Sequence, residues 1–80
     1  MMGWIERRKK SGMSQFLCAQ TSGVSRMRLS LAETGQVELT SAEETAVHQA
    51  LNDYISGKAR EISQLLHDQE LKHAATSVAV

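Results

Sequence analysis

Proline is absent from this 80-residue chain, and cysteine, tryptophan, tyrosine and phenylalanine occur once each. Without proline, no residue forces a helix break by removing a backbone donor and clashing with the preceding turn. Scarce aromatics beside plentiful Ala, Leu, Gln, Glu, Lys and Arg favour an all-α chain. The lone Cys18 excludes an internal disulfide, which suits a reducing, cytoplasmic location. No apolar run approaches the roughly 18 residues that a membrane span requires, so no membrane partner is expected. Met1–Ile5 is too short for a secretory signal, and its basic residues follow the apolar ones. Eighty residues make one domain with a modest core, whose stability margin is thin unless a partner or second copy adds buried surface.

Net charge is also lacking, but the zero conceals an asymmetry. Residues 1–36 hold six cations (Arg7, Arg8, Lys9, Lys10, Arg26 and Arg28) against Glu6 and Glu33, a net of +4. Residues 37–80 hold three cations against seven acids, a net of −4. Such a basic end can face a polyanion while the acidic end points away. A solvated basic helix is the alternative, and charge alone does not separate the two.

Breakers and capping residues divide the chain. Trp4–Lys10 reads as a short helix ended by Ser11-Gly12, the glycine taking a left-handed closing conformation. Ser14 is an N-cap for a second helix, Gln15 to about Ser22, interrupted by Gly23. Ser25 caps a third, Arg26 to about Glu33, ended by Thr34-Gly35. Gln36–Thr40 has no helical period and reads as an extended connector. Ser41 with Glu44 has the Ser-x-x-Glu spacing of a capping box, and the pattern then stays helical to about His73. Gly57 is the weak point of that stretch, leaving either one long helix or two. The expected organisation is a main helical domain over residues 1–56, a helical extension over 57–73 and a flexible tail over 74–80.

Two short helices joined by a tight glycine-containing turn form the core of a helix-turn-helix. Gly23 supplies the residue tolerant of positive φ, and Ala19 a small side chain where the helices cross. Val24, Leu29 and Ala32 supply the inward face of the second helix. Ser25, Arg26, Arg28 and Ser30 leave a polar face free for the major groove. At this point the chain resembles a known family. Gln15-x-x-x-Ala19-x-x-x-Gly23-Val24-Ser25, followed by Leu29-x-x-x-Glu33-x-Gly35, is similar to the Xre type of helix-turn-helix, the family of the Cro proteins and phage repressors. Gly12-Met13-Ser14-Gln15 is similar to that family's entry into its second helix.

The likeness covers about Trp4 to Leu51 and implies a compact, lambda-repressor-like domain of four to five helices with an extended C-terminal helix. It also implies that Arg8 of the first helix pairs with Glu33, which closes the third. The chain departs from the family where Ser22 and Arg7 replace apolar residues, and Ala42–Leu51 is poorer in Leu and Ile than usual. Trp4, Phe16, Leu17 and Met13 are expected to fill the space.

In the family's docking geometry the recognition helix lies in the major groove and the preceding helix abuts the backbone. Carried over, this puts Gln15 on a phosphate, aided by the positive end of its helix. Ser25, Arg26, Met27, Ser30 and Leu31 take the exposed positions. Arg26 is the first candidate for base readout, because a guanidinium makes a bidentate contact to O6 and N7 of guanine. Met27 or Leu31 reaches a thymine methyl group, unless these two belong to the core. Arg28, Gln36 and Thr40 meet phosphates, and Lys9 and Lys10 add salt-sensitive attraction.

One such domain makes few contacts, and proteins of this kind double the interface by dimerising on paired half-sites. A homodimer through Tyr54, Ile55, Ile62, Leu65 and Leu66 is therefore expected. The alternative is that Arg60–His73 folds back over its own core as a fifth helix. Catalysis has no support. His48, His67 and His73 lack metal-ligand spacing with Cys18 or one another, and no cofactor motif is present. His48 reads as a surface residue, Cys18 as a small buried hydrophobe. The leading expectation is a transcriptional repressor on double-stranded DNA. The others are the antitoxin of a toxin–antitoxin pair, whose acidic half wraps a small basic toxin, and a helical interaction module that has lost DNA binding.

Overall fold

Serines and glycines set where the first three helices start and stop. In the computed structural model, which describes residues 3–79 and side chains over residues 3–67, α1 spans Trp4–Ser11, α2 Gln15–Ser22, α3 Arg26–Glu33 and α4 Ser41–Ala79. The Ser14 hydroxyl accepts from the Leu17 N–H at 3.0 Å, and the Ser25 hydroxyl from the Arg28 N–H at 3.2 Å. Such a side-chain cap contributes typically about 1 kcal/mol. Gly12 and Gly23 close α1 and α2 at φ +79°, where a side chain would be strained. Their N–H groups satisfy the carbonyls of Lys9 and Ala19. The carbonyls at the end of α3 are met by Gly35 N–H on Ala32 and Gln36 N–H on Leu31.

The cap of α4 differs from the expected Ser41/Glu44 box. The first bond of α4 runs from Glu44 N–H to the Thr40 carbonyl at 2.9 Å, so Thr40 holds the capping position. Thr40 Oγ1 accepts from Glu43 N–H at 3.1 Å, and Glu43 Oε1 accepts from Thr40 N–H at 2.9 Å. The box is Thr40-x-x-Glu43, one residue earlier than the serine spacing suggests.

The described residues are all-α with four helices, and the fifth is not formed. Instead α4 continues through Gly57. A helical glycine costs about 1 kcal/mol relative to alanine, too little to break a helix supported on both sides. Lys58 Nζ lies 5.7 Å from the Tyr54 ring centroid, a contact that spans the glycine, and 3.6 Å from Glu61 Oε2 beyond it. Residues 58–67 are exposed, so this arm does not fold back on the core. The expected 74–80 tail lies outside the residues whose side chains are described.

The core sits where α4 crosses α1 and α2. Val47, Ala50 and Leu51 of α4 meet Trp4, Met13 and Cys18, while Val24 and Leu29 bring in the turn and α3. Leu29, Val47, Leu51 and Cys18 are fully buried. Leu17, Ala19, Ala32 and Tyr54 pack against this cluster. Phe16 does not fill the core as expected: it is 60% exposed. Leu17 and Cys18 take the inward face of α2, and Phe16 stands one to two residues out of phase with them.

Candidate nucleic-acid interface

The second helix, its three-residue turn and the third helix place the outward face of α3 on the surface. Ser25, Arg26, Met27 and Ser30 are exposed, and positions 26, 27 and 30 are neighbours at three- and four-residue spacing. Met27 is 73% exposed, which removes it from the core. Leu31 is half-buried, so only part of its side chain is available to a ligand. Gln15 is half-buried in the first position of α2. Gln36 is exposed and its amide donates to Thr34 Oγ1 at 3.1 Å.

Arg8 and Glu33 form a two-pronged bridge. Nε donates to Oε2 and Nη2 to Oε1, both at 2.7 Å, and Nη1 donates to the Met13 carbonyl at 2.8 Å. The side chains are 12% and 8% exposed. This geometry ties α1 to the end of α3 and occupies the guanidinium, leaving Arg8 a structural part. Cys18 lies nearby in the core; its thiol pKa is raised, first by burial, with the Arg8 charge opposing and the Glu33 charge adding. It is the inert buried hydrophobe that its position suggests.

Arg28, expected to meet a phosphate, is paired with a carboxylate in this structure. Its Nε donates to Glu43 Oε2 and its Nη2 to Glu43 Oε1, both at 2.7 Å, with the Glu38 carbonyl 3.5 Å from Nη2. The Arg28 hydrogen bond, then the Thr40 N–H, hold the Glu43 carboxyl down to a pKa of about 2. A depressed carboxylate stabilises the fold fully above its ordinary range and loses that contribution as pH falls through about 2, so the bridge is intact at neutral pH.

His48, expected at the surface, pairs with Arg7. Arg7, standing where the resembled family has an apolar residue, donates from Nη1 to His48 Nδ1 at 2.7 Å and from Nη2 to Asn52 Oδ1. His48 is thus a half-buried acceptor joining α1 to α4, not a surface residue. Acceptance at Nδ1 puts the ring proton on Nε2. The only signal in the sequence was an arginine at an apolar position, facing polar residues spaced four apart on α4.

These pairings change the charge argument. Glu6 and Lys10 meet at 3.3 Å, Arg8 meets Glu33, and Arg28 is neutralised by Glu43 from the acidic half. The broad +4 field contracts to Lys9, Arg7 and Arg26. Among the described residues, Arg26 is the one cation of α3 without an ion-pair partner.

Tyr54 is half-buried against the core, while Ile55, Ile62, Leu65 and Leu66 of the expected dimer surface are 39%, 55%, 68% and 57% exposed. Among the described residues no three His, Cys, Asp or Glu side chains converge as metal ligands, and no helix is long and apolar enough to cross a membrane. The chain matches no family model, no curated protein and no solved structure.

Proposed function

We propose that this chain is a sequence-specific double-stranded DNA-binding regulator of the Xre helix-turn-helix type, a repressor that sets α3 in the major groove. The observation that carries the reading is Arg26. It stands exposed at the first position of α3, beside exposed Met27 and Ser30, while arginine–carboxylate bridges tie that helix to α1 and α4. A free guanidinium on a braced helix suits bidentate recognition of guanine. Arg26→Ala is expected to weaken binding to a selected operator by about 1–3 kcal/mol and relax preference at one base pair. Selection from random duplexes, followed by titration of both proteins, checks this. Equal affinity of mutant and wild type for the operator removes Arg26 from recognition, and no affinity for any duplex at low salt removes the function.

The protein acts as a homodimer on a palindromic site. Ile55, Ile62, Leu65 and Leu66 support this, since the arm of α4 exposes them and its own core does not cover them. A shallow apolar groove lined by Ser11, Tyr54, Ile55, Lys58, Ala59 and Ile62 continues the surface toward α1. Sedimentation at micromolar concentration is expected to show a two-chain species. A monomer both with and without DNA ends the homodimer reading. The same arm also suits an antitoxin, for which a small basic protein co-purifying in equal amount is the distinguishing result.

A further inference from the structure

We infer that Arg28 is a positioning residue: through Glu43 it sets the angle of α3 and the path of the 36–40 connector, and it does not contact DNA phosphate itself. The inference rests on the DNA-binding reading for its functional part. It starts from how α3 is held. Beyond its packing through Leu29 against the core, two bidentate bridges tie it to other elements. Glu33, its last residue, is gripped by Arg8 of α1. Arg28, in its first turn, grips Glu43 in the first turn of α4. The two bridges fix the helix near both ends, so its rotation about the core contact at Leu29 is restrained.

Glu43 has a second task that makes it a hub. Its carboxylate accepts from the Thr40 backbone N–H while its own N–H donates to the Thr40 hydroxyl. The Arg28 Nη2 also lies 3.5 Å from the carbonyl of Glu38. One guanidinium therefore lies at one point of the connector, Glu38, and through Glu43 is linked to a second, Thr40, at the start of α4. All of the Arg28 hydrogen bonds face these groups, and its Nε and Nη2 are fully committed. A phosphate at Nε or Nη2 would have to displace a carboxylate that is itself held by a backbone donor, and among the described residues only Nη1 is left without a hydrogen bond. Forked, charge-assisted bonds of this length are the strong kind.

The positioning and phosphate roles make opposite predictions for Glu43→Gln. Glutamine keeps the capping geometry but removes the charge that Arg28 holds. If Arg28 touches phosphate, freeing it and deleting a nearby negative charge tightens DNA binding. If Arg28 positions α3, the same change weakens operator binding, by roughly tenfold for loss of a charge-assisted pair. Arg28→Ala is expected to weaken it by a similar factor, and the double variant by little more than either alone. The slope of log affinity against log salt is expected to stay unchanged in Arg28→Ala, whereas loss of a phosphate contact lowers it by about one.

The experiment is this two-residue cycle, measured on a selected duplex over a salt series, together with NMR of the DNA-free proteins. In wild type the Arg28 Nε–H is expected to show a slowly exchanging resonance that Glu43→Gln removes. Tighter binding by Glu43→Gln, or a salt slope reduced by about one in Arg28→Ala, overturns the inference. Absence of binding by wild type defeats the DNA reading alone, because the resonance still reports whether the brace exists. A rapidly exchanging Arg28 Nε–H in wild type refutes the brace whatever the DNA result.

Discussion

Arg8→Ala is expected to lower the unfolding free energy by about 3–5 kcal/mol, the cost of breaking one side of an ion pair largely shielded from solvent. The change strands the Glu33 carboxylate, 8% exposed, and leaves the Met13 carbonyl without the Arg8 donor. At roughly 0.05–0.15 kcal/mol per residue, a domain of this length holds few such increments. At the lower end of that range, a large unfolded fraction at room temperature follows. Urea titration followed by circular dichroism measures it. The same titration on an Arg8→Met, Glu33→Leu double variant is expected to recover most of the loss, since an apolar pair of similar volume leaves no unpaired charge. A single-mutant cost below about 1 kcal/mol matches a solvent-screened pair instead, and would show that α1 and α3 are held by packing alone.

Leu51→Ala carries the second large effect, about 2–5 kcal/mol for a fully buried leucine replaced by a cavity. Leu51 is 0% exposed and lies on the face of α4 that meets α1 and α2. The informative comparison is Leu65→Ala on the same helix. Leu65 is 68% exposed, so in a single chain its truncation is expected to stay within about 0.5 kcal/mol. Chemical denaturation at two protein concentrations checks both. A Leu65→Ala cost that grows with concentration reveals a covered arm, while a Leu51→Ala cost under about 1 kcal/mol contradicts the core described above.

What could be read from the sequence and what could not divides along the range of the interactions. Ser14, Gly23 and Ser25 act within one turn of their own position, so residue type and spacing suffice to place them. The same holds for the alternation that puts Cys18 and Leu29 inward. The Thr40/Glu43 box was misplaced by one residue because Ser41/Glu44 has the same spacing, and only the first helical bond decides between them. Arg28–Glu43 and Arg7–His48 are separated by 15 and 41 residues. Finding them requires knowing which faces meet, and each arginine taken alone looks like a solvated or DNA-facing cation. The Arg8–Glu33 pair is just as distant, at 25 residues; it was anticipated through family resemblance, not from spacing. Phe16 looks like a core residue by its chemistry, while the phase of α2 sends it outward. The number of helices turned on one glycine, whose local cost is of the same size as the contacts that span it.

The unbroken passage of α4 through Gly57 has a thermodynamic consequence. The residues that seal the core, Val47 and Leu51, and the residues that form the exposed arm share one continuous helix. Any partner that recognises the arm only in its helical form must favour the folded chain as well. At a free concentration one hundredfold above its dissociation constant, that linkage is worth about 2.7 kcal/mol. Linkage is reciprocal, so any ligand that rigidifies α3, and through the Glu43 bridge the first turn of α4, changes the partner's affinity by the factor with which the partner changes that of the ligand. Occupancy of the arm would then set how much folded protein exists at a given temperature, without touching the exposed face of α3.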